Sequence, residues 1–510
     1  MYREGQKGSI TVFLSLVCIL FLSLICTAAE SARVQGARAQ TANLTGMGNF
    51  SLLAEFERNL LDKYDIFGLD TSYGSGTFGI YKTAQRFEEL LSYNANPKKD
   101  LFSVWCFDPW NLRLTHSEIS GYALLTDEKG EAFYQQAVSY MKTNLGTEAV
   151  SALLEYARDT DQIEKNQEEY ERSRKENDAQ MSDLESQKEQ RIQEMESEQA
   201  EAGGSVSQPQ SEGKNPLLEI AKLRMRSTLS IVTGGKAISQ NTVTLTQLPS
   251  RQITKKGSLD LEKKHKGLAS DVLFREYLLN YFPNYLSQES SEGLLYQLEY
   301  IIGGNAMDKR NLKSVADKLL LIREGMNYLY CLQNSQMNGS AQSLAITLTG
   351  FLGIPALTSA TKHALLLAWA YGESLIDVRT LLEGDKVPLT KDASSWTLTL
   401  ENLGRIVQIL DQGGSGQEKG LSYKDYLRIL LNMGSLSKQK LRALDMIEVN
   451  LKSIPGSQKF RAENCVVGIK TRTEWEIKPV FFSLAQAVTK IKGEDISIVQ
   501  TGGISYLDSG

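Results

Sequence analysis

Glu373 and Asp377 stand four residues apart inside the apolar run LLLAWAYGESLIDVR, and on a helix that spacing puts both carboxylates on one face. Paired carboxylates in a cleft are the equipment of acid–base hydrolysis. A second apolar run, LLLIREGMNYLY, carries Arg323 and Glu324, and Arg379 follows Asp377 by two positions. Buried charges need partners, and arginines beside carboxylates favour ion pairing over proton transfer. The five residues therefore read as a structural ion-pair cluster, in which Arg323→Leu or Glu373→Leu is expected to perturb folding rather than remove an activity.

Other chemistry has less to build on. His116, His265 and His363 are the only histidines, and none has a second histidine at zinc-ligand spacing. There is no GxSxG and no P-loop. The stretch GSGTFG, 74–79, matches GxGxxG ahead of a helix. A dinucleotide site would want an acidic residue closing a second strand about 20 residues later, whereas Asp100 precedes the extended run. It reads as a glycine turn. No catalytic residue, cofactor or metal is expected, and the protein reads as a non-enzyme.

Composition narrows the class further. The chain has 510 residues, 41% of them hydrophobic, enough for two or three domains of about 100 to 200 residues each. With 56 basic against 61 acidic residues there is no basic excess to track a phosphate backbone, so nucleic acid is excluded as a partner. Cys18 and Cys26 fall in the N-terminal apolar run. Cys106, Cys331 and Cys465 are scattered singly, with no CxxC and no disulfide framework.

The elements that would position the cluster are helices. Between 268 and 455, seven stretches carry apolar residues at three- and four-residue steps, punctuated by Gly303, Gly304, Gly353, Pro355 and Gly384. They predict a bundle of about six or seven helices. Lys362, His363 and Glu373 leave no clean membrane-spanning run within 341–376. Upstream, residues 67–150 mix strand and helix patterns, and 161–200 hold 19 charges in 40 positions. Ile163, Tyr170 and Leu184 keep a seven-residue interval, but Asn177 and Arg191 share their register, so the stretch reads as a solvated helical arm. A flexible link at 202–216 and a single returning helix at 217–231 follow, then an extended connection at 232–267. ENCVVGIKTRTEWEIK suggests two strands, PVFFSLAQAVTKIKG a short helix, and ISIVQTGGISYL a strand with a Gly-Gly turn. These C-terminal strands, 456–510, are expected to fold back onto strands in 67–125 and 232–248. The fold class is α+β, predominantly helical.

The N-terminus decides location. From Ile10 to Ala29, 20 positions, no residue is charged, and at about 1.5 Å per residue the run covers the roughly 30 Å hydrocarbon core. Arg3 and Lys7 precede it, which places residues 1–9 in the cytoplasm and the bulk of the chain outside, with membrane lipid contacted through 10–29. Thr27, Ala28 and Ala29 are small enough to offer a signal-peptidase site, so cleavage is the alternative. The proline-free stretch 30–66 predicts a helix continuing out of the membrane, with Ala28, Ala32 and Gly36 spaced for close helix packing. On that basis Ala32→Leu with Gly36→Leu is expected to abolish partner capture while leaving folding intact.

KGSITVFLSLVCILFLSLICTAAESARVQGARAQ followed by LLAEFERNLLDKYDIFGLD resembles the N-terminal region of membrane-anchored proteins related to Tad-type (tight adherence) pilus assembly subunits. LPSRQ, LEYIIGG, LLLIREGMNYLY, LLLAWAYGESLIDVR and LSYKDYLRILL resemble an uncharacterised family of such proteins in Gram-positive bacteria. The resemblance implies a structural or assembly component of a pilus-like or surface secretion system, with other membrane subunits as partners. It carries no catalytic residue. One departure is local: a processed prepilin has a glutamate five positions after its cleavage glycine, and after Gly8 that position holds Phe13. The alternative function is an extracytoplasmic binding or sensing module acting with a membrane partner.

Overall fold

With no proline before position 97, the uncharged N-terminal run and the Ala-, Gln- and Leu-rich stretch after it propagate as one helix, α1 (Gly5–Leu53). The computed structural model describes residues 5–95, 110–201, 215–288, 293–411, 419–481 and 495–507. The chain divides into unit 1, made of Met1–Gln136, Ile253–Lys264 and Ile454–Gly510, and unit 2, made of Ala137–Gln252 and His265–Ser453. Asp100, Cys106, most of the link at 202–216 and most of PVFFSLAQAVTKIKG lie outside the described residues.

Unit 1 is helix on sheet. Its strands are β1 (Leu69–Asp70), β2 (Leu112–Leu124), β3 (Cys465–Ile477) and β4 (Ile496–Ser505), all antiparallel to their neighbours. β3 is central, with β2 along one edge and β4 and the short β1 along the other. Leu112, Ile477 and Ile496 stand in register at one end of the sheet. Alternate β3 side chains, Ile469, Thr471, Thr473, Trp475 and Ile477, are buried, whereas Lys470 and Arg472 between them are exposed. The buried face meets α1 and α3 (Ile80–Ala95), where Ala37, Leu44, Leu52, Phe87 and Leu91 complete the core. A polar seam runs through this apolar contact. Gln500 donates to Thr41 (3.1 Å), the Thr45 and Thr473 hydroxyls share a bond (2.9 Å), and Thr471 donates to Asn49 (2.8 Å). Residues 41, 45 and 49 recur every four positions, so they form one stripe of α1.

Several sequence expectations change here. The helix leaving the apolar run ends at Leu53 rather than 66, because Glu57 adopts an extended conformation and caps a new helix, α2 (Arg58–Tyr64). ENCVVGIKTRTEWEIK forms one long strand, not two, since it pairs on both edges over its length. The Gly502–Gly503 pair lies inside β4 rather than in a turn, with Gly502 so close to the Asn49 side chain that a Cβ would collide with it. Residues 232–248 form no strand beyond a bridge between Thr242 and Met307, so among the described residues β3 pairs with β1, β2 and β4, and β4 with β3, and neither pairs with that stretch. GSGTFG is a turn before α3, with Gly74 and Gly76 at positive φ.

α4 (Asp127–Asn144) opens in a left-handed turn: φ is 49° at Glu128, 62° at Lys129 and 80° at Gly130. Asp127 holds the turn by accepting from the amides of Leu124 (2.7 Å) and Gly257 (2.9 Å). A non-glycine residue pays about 1–2 kcal/mol in this region, and glycine returns part of that gain as unfolded-state entropy. Lys129 is exposed. Lys129→Gly is therefore expected to stabilise unit 1 by about 0.5–1 kcal/mol in urea titration, and destabilisation would show that the side chain contributes more than its backbone costs.

Unit 2 is helical: α5 (Thr147–Glu201), α6 (Pro216–Arg224), α7 (Thr228–Val232), α8 (Leu268–Tyr281), α9 (Gln297–Gly303), α10 (Asp308–Gln333), α11 (Ser335–Thr349), α12 (Pro355–Glu383), α13 (Ile406–Asp411), α14 (Tyr423–Met433) and α15 (Leu436–Lys452). Among the described residues eight of these fall within 268–455, against the six or seven expected. The extra one, α11, starts on an Asn334 cap that accepts from the amides of Gln336 and Met337. The arm is not wholly solvated. Ala157, Ile163, Tyr170 and Asn177 of α5 are buried against the other helices of the unit, and Asn177 satisfies its amide on the Ala360 carbonyl (2.9 Å). A polar residue in the heptad register is thus compatible with burial, and only the part beyond it is largely exposed. The returning helix is two short helices, broken at residues 225–227.

Candidate functional site

The carboxylates that could have done acid–base work are sealed inside unit 2. α12 supplies Glu373 and Asp377, α10 supplies Arg323, and the loop after α12 supplies Lys391. Arg323 Nε lies 3.0 Å from Asp377 Oδ2, Lys391 Nζ lies 2.7 Å from Asp377 Oδ1, and Lys391 also contacts Glu373. All four side chains are at most 3% exposed. Two cations face two anions, so the group is neutral as a whole.

Hydrogen bonds complete the shell. Arg323 donates to the Pro388 and Leu389 carbonyls (3.0 and 2.8 Å), to the Tyr426 hydroxyl (3.0 Å) and to Asn327 (3.0 Å). Glu373 accepts from the amides of Thr397 (3.0 Å) and Leu398 (2.8 Å). Burial alone would push the Asp377 carboxyl up. The charges of Arg323 and Lys391, with hydrogen bonds from Lys391 and Asn327, outweigh it and hold the group below the usual aspartate value. A carboxylate so paired is a poor proton donor, and the packed helices leave substrate no approach to it.

Glu324 and Arg379 belong elsewhere. Glu324 points from α10 towards α5, where it accepts from the Tyr170 hydroxyl (3.0 Å), and Arg379 pairs with Glu383 (3.1 Å) one turn along α12. The five singled-out residues are therefore one three-member core and two separate pairs. The sequence reading does not single out Lys391, Asn327 or Tyr426. Asn327 follows Arg323 by four positions and was legible in principle, whereas Lys391 sits in a loop without periodicity. Among the described residues no group of His, Cys, Asp and Glu is placed to hold a metal ion.

The second place of interest lies in unit 1, immediately after the apolar run of α1. Among the described residues α1 is the one helix long and apolar enough to cross a membrane, a test that a signal sequence also meets. Its large side chains from Ile10 to Ile25 are exposed apart from half-buried Val17, Phe13 at 67%, whereas Leu44 is at 3%. The change comes at Glu30 and Arg33, which are 1% and 7% exposed and pair at 2.6 Å. Arg33 also donates to the carbonyls of Trp110 (2.9 Å) and Lys478 (2.7 Å), and Glu30 accepts from the Phe481 amide (3.0 Å). Burial would raise the Glu30 carboxyl, but hydrogen bonds from Arg33 and Phe481 and the Arg33 charge hold it below its ordinary value. One turn of helix thus ties down the start of β2 and the end of β3.

The proposed packing face on α1 divides at this collar. Ala28 and Ala32 are exposed, but Gly36 lies under the Trp110 ring, where any Cβ would collide. Gly36→Leu cannot leave unit 1 intact, and the three small residues do not share one open face. An i, i+4, i+8 series drifts by about 40° per step, which carries Gly36 round to the packed side.

Residues 206–477, more than half of the chain, match the family of unknown function DUF5702. The chain belongs to this family. No curated protein and no solved structure matches it. In this DUF5702 protein the matched stretch holds α6 to α15, the whole of the buried charge cluster, and β3. α1, β2 and β4 lie outside it. Membership therefore describes the charged helical core and the central strand, and it brings no activity with it.

Proposed function

We propose that the chain is a single-pass membrane-anchored extracytoplasmic protein, a non-enzymatic structural or assembly component of a Tad-like pilus or surface secretion system. The observation that carries this is the division of α1 into an apolar half with exposed side chains and a half that forms the core of unit 1, with no break between them. A removable signal would be cut at Thr27–Ala29, directly against a helix turn whose Glu30 and Arg33 are already committed to unit 1. A permanent anchor needs no such cut. Arg3 and Lys7 before the span favour a cytoplasmic N-terminus. The neutral, sealed charge cluster favours a scaffold over a catalyst. The N-terminal resemblance to Tad-type subunits supplies the particular system, as an analogy.

Two measurements test this together. Membrane-extracted protein should show a mass that includes residues 1–29. A photo-reactive residue in place of exposed Ala32 should capture pilus-type or secretion membrane subunits in intact cells, and Ala28→Leu, which leaves unit 1 untouched, should abolish that capture. A mass lacking residues 1–29 overturns the anchor. Capture that Ala28→Leu leaves undiminished overturns helix packing as the route of assembly.

A further inference from the structure

The collar at Glu30 and Arg33 fixes how far unit 1 stands from the bilayer. Granting the anchor proposed above, the hydrocarbon core ends near Ala29, and Arg33 lies four residues on, about 6 Å along the axis. A bilayer of roughly 40–45 Å around a hydrocarbon core of roughly 30 Å leaves about 5–8 Å of headgroup layer on each side. Arg33 binds the Trp110 and Lys478 carbonyls, so the sheet end carrying Leu112, Ile477 and Ile496 begins at the level of that layer. There is no spacer between span and unit.

The residues at this end suit a polar–apolar boundary. Trp110 is half-buried against α1, Leu112 and Ile496 are partly exposed, and Lys478, Arg113 and Asn111 are exposed. An indole with one wet edge and long cationic side chains over an apolar rim make up the chemistry of a membrane interface. The charge is mixed, because Asp495 is exposed at the same end, so the surface fits headgroups generally rather than anionic lipid alone. We infer that the sheet end of unit 1 bearing Trp110 and Lys478 rests in the lipid headgroup layer, held at that depth by the Glu30–Arg33 collar. The anchor is then a ruler as well as a tether, and unit 1 stands in one orientation on the membrane.

The test uses the full chain in liposomes of phosphatidylethanolamine and phosphatidylglycerol, with a benzophenone amino acid placed singly at Lys478 or at Lys459. Both positions are exposed; Lys478 directly follows β3 and Lys459 lies six residues before its start, with the strand between them spanning about 40 Å. Irradiation should cross-link phospholipid at Lys478 and not at Lys459. Seven helix-forming residues inserted between Ala29 and Glu30 lengthen the helix by about 10.5 Å, nearly keep its facing, and should cut lipid capture at Lys478 roughly tenfold. Circular dichroism of the inserted variant checks that unit 1 still folds. No lipid capture at Lys478 in a chain that resists carbonate extraction overturns the headgroup contact while leaving the anchor standing. Capture that survives the insertion overturns the ruler. A chain that carbonate strips from the liposomes overturns the anchor and this inference together.

Discussion

Lys391→Met is expected to destabilise unit 2 by about 3–5 kcal/mol, the cost of leaving a buried charge without its partner. Lys391 is the only cation that reaches both carboxylates of the α12 pair among the described residues, and Arg323 reaches Asp377 alone. Methionine keeps the unbranched stem, which also packs near the Trp396 ring with Nζ 5.8 Å from its centroid, so the loss reports charge more than volume. Glu373 would be left with two backbone amides and would take up a proton to remain buried. Glu383→Gln, which removes a partly exposed pair one turn from the cluster, should cost at most about 1 kcal/mol. Urea titration followed by circular dichroism compares the two. A Lys391→Met loss no larger than that of Glu383→Gln would mean that the cluster is held by packing and hydrogen bonds alone.

The contrast between Lys391 and Asp377 shows where sequence reasoning succeeds and where it stops. Glu373 and Asp377 could be placed on one face because their relation is local, fixed by a 3.6-residue turn. That Lys391 enters the same space depends on how the loop after α12 turns back, and no periodicity records a turn-back. Glu324 adjoins Arg323 in sequence, yet adjacent helical positions point some 100° apart, so the two serve different neighbours. In α5 the seven-residue interval was visible, but Asn177 argued against burial. The Ala360 carbonyl that accepts its amide lies 183 positions away in the chain. The packing of Gly36 is hidden from the sequence for the same reason, since Trp110 belongs to a remote segment. α1 itself was legible because an uncharged run is a local property, and so was the alternation of β3. The second end of every long-range pair was not.

Glu299 makes the stability of unit 2 depend on pH, and the sign follows from its surroundings. The side chain is fully buried in α9. Oε1 accepts from the Tyr285 amide (2.8 Å) and the Tyr423 hydroxyl (2.7 Å), while Oε2 has no hydrogen-bond partner among the described residues. The groups facing it are Tyr285, Tyr296, Tyr423 and the buried Asp308 at the start of α10. None is a cation. Burial therefore raises its pKa from 4.5 to about 7, with the Tyr285 and Tyr423 hydrogen bonds opposing and Asp308 adding to the rise. A carboxyl whose folded pKa lies above its unfolded value binds more proton in the native state, so stability falls as pH rises from 4.5 to about 7 and is level beyond. At 1.36 kcal/mol per unit the fall amounts to about 3 kcal/mol. Glu299→Gln keeps the oxygen that Tyr285 and Tyr423 use and cannot ionise. The difference in unfolding free energy between wild type and Glu299→Gln should therefore shift by about 3 kcal/mol in favour of the variant between pH 4.5 and pH 7.5. Taking the difference cancels groups common to both proteins, including Asp445, which burial also raises, and Asp377, which its cations lower. Urea titrations at half-unit steps of pH would show it, and two curves that run parallel across that range would mean that Glu299 ionises alike in the folded and unfolded chain.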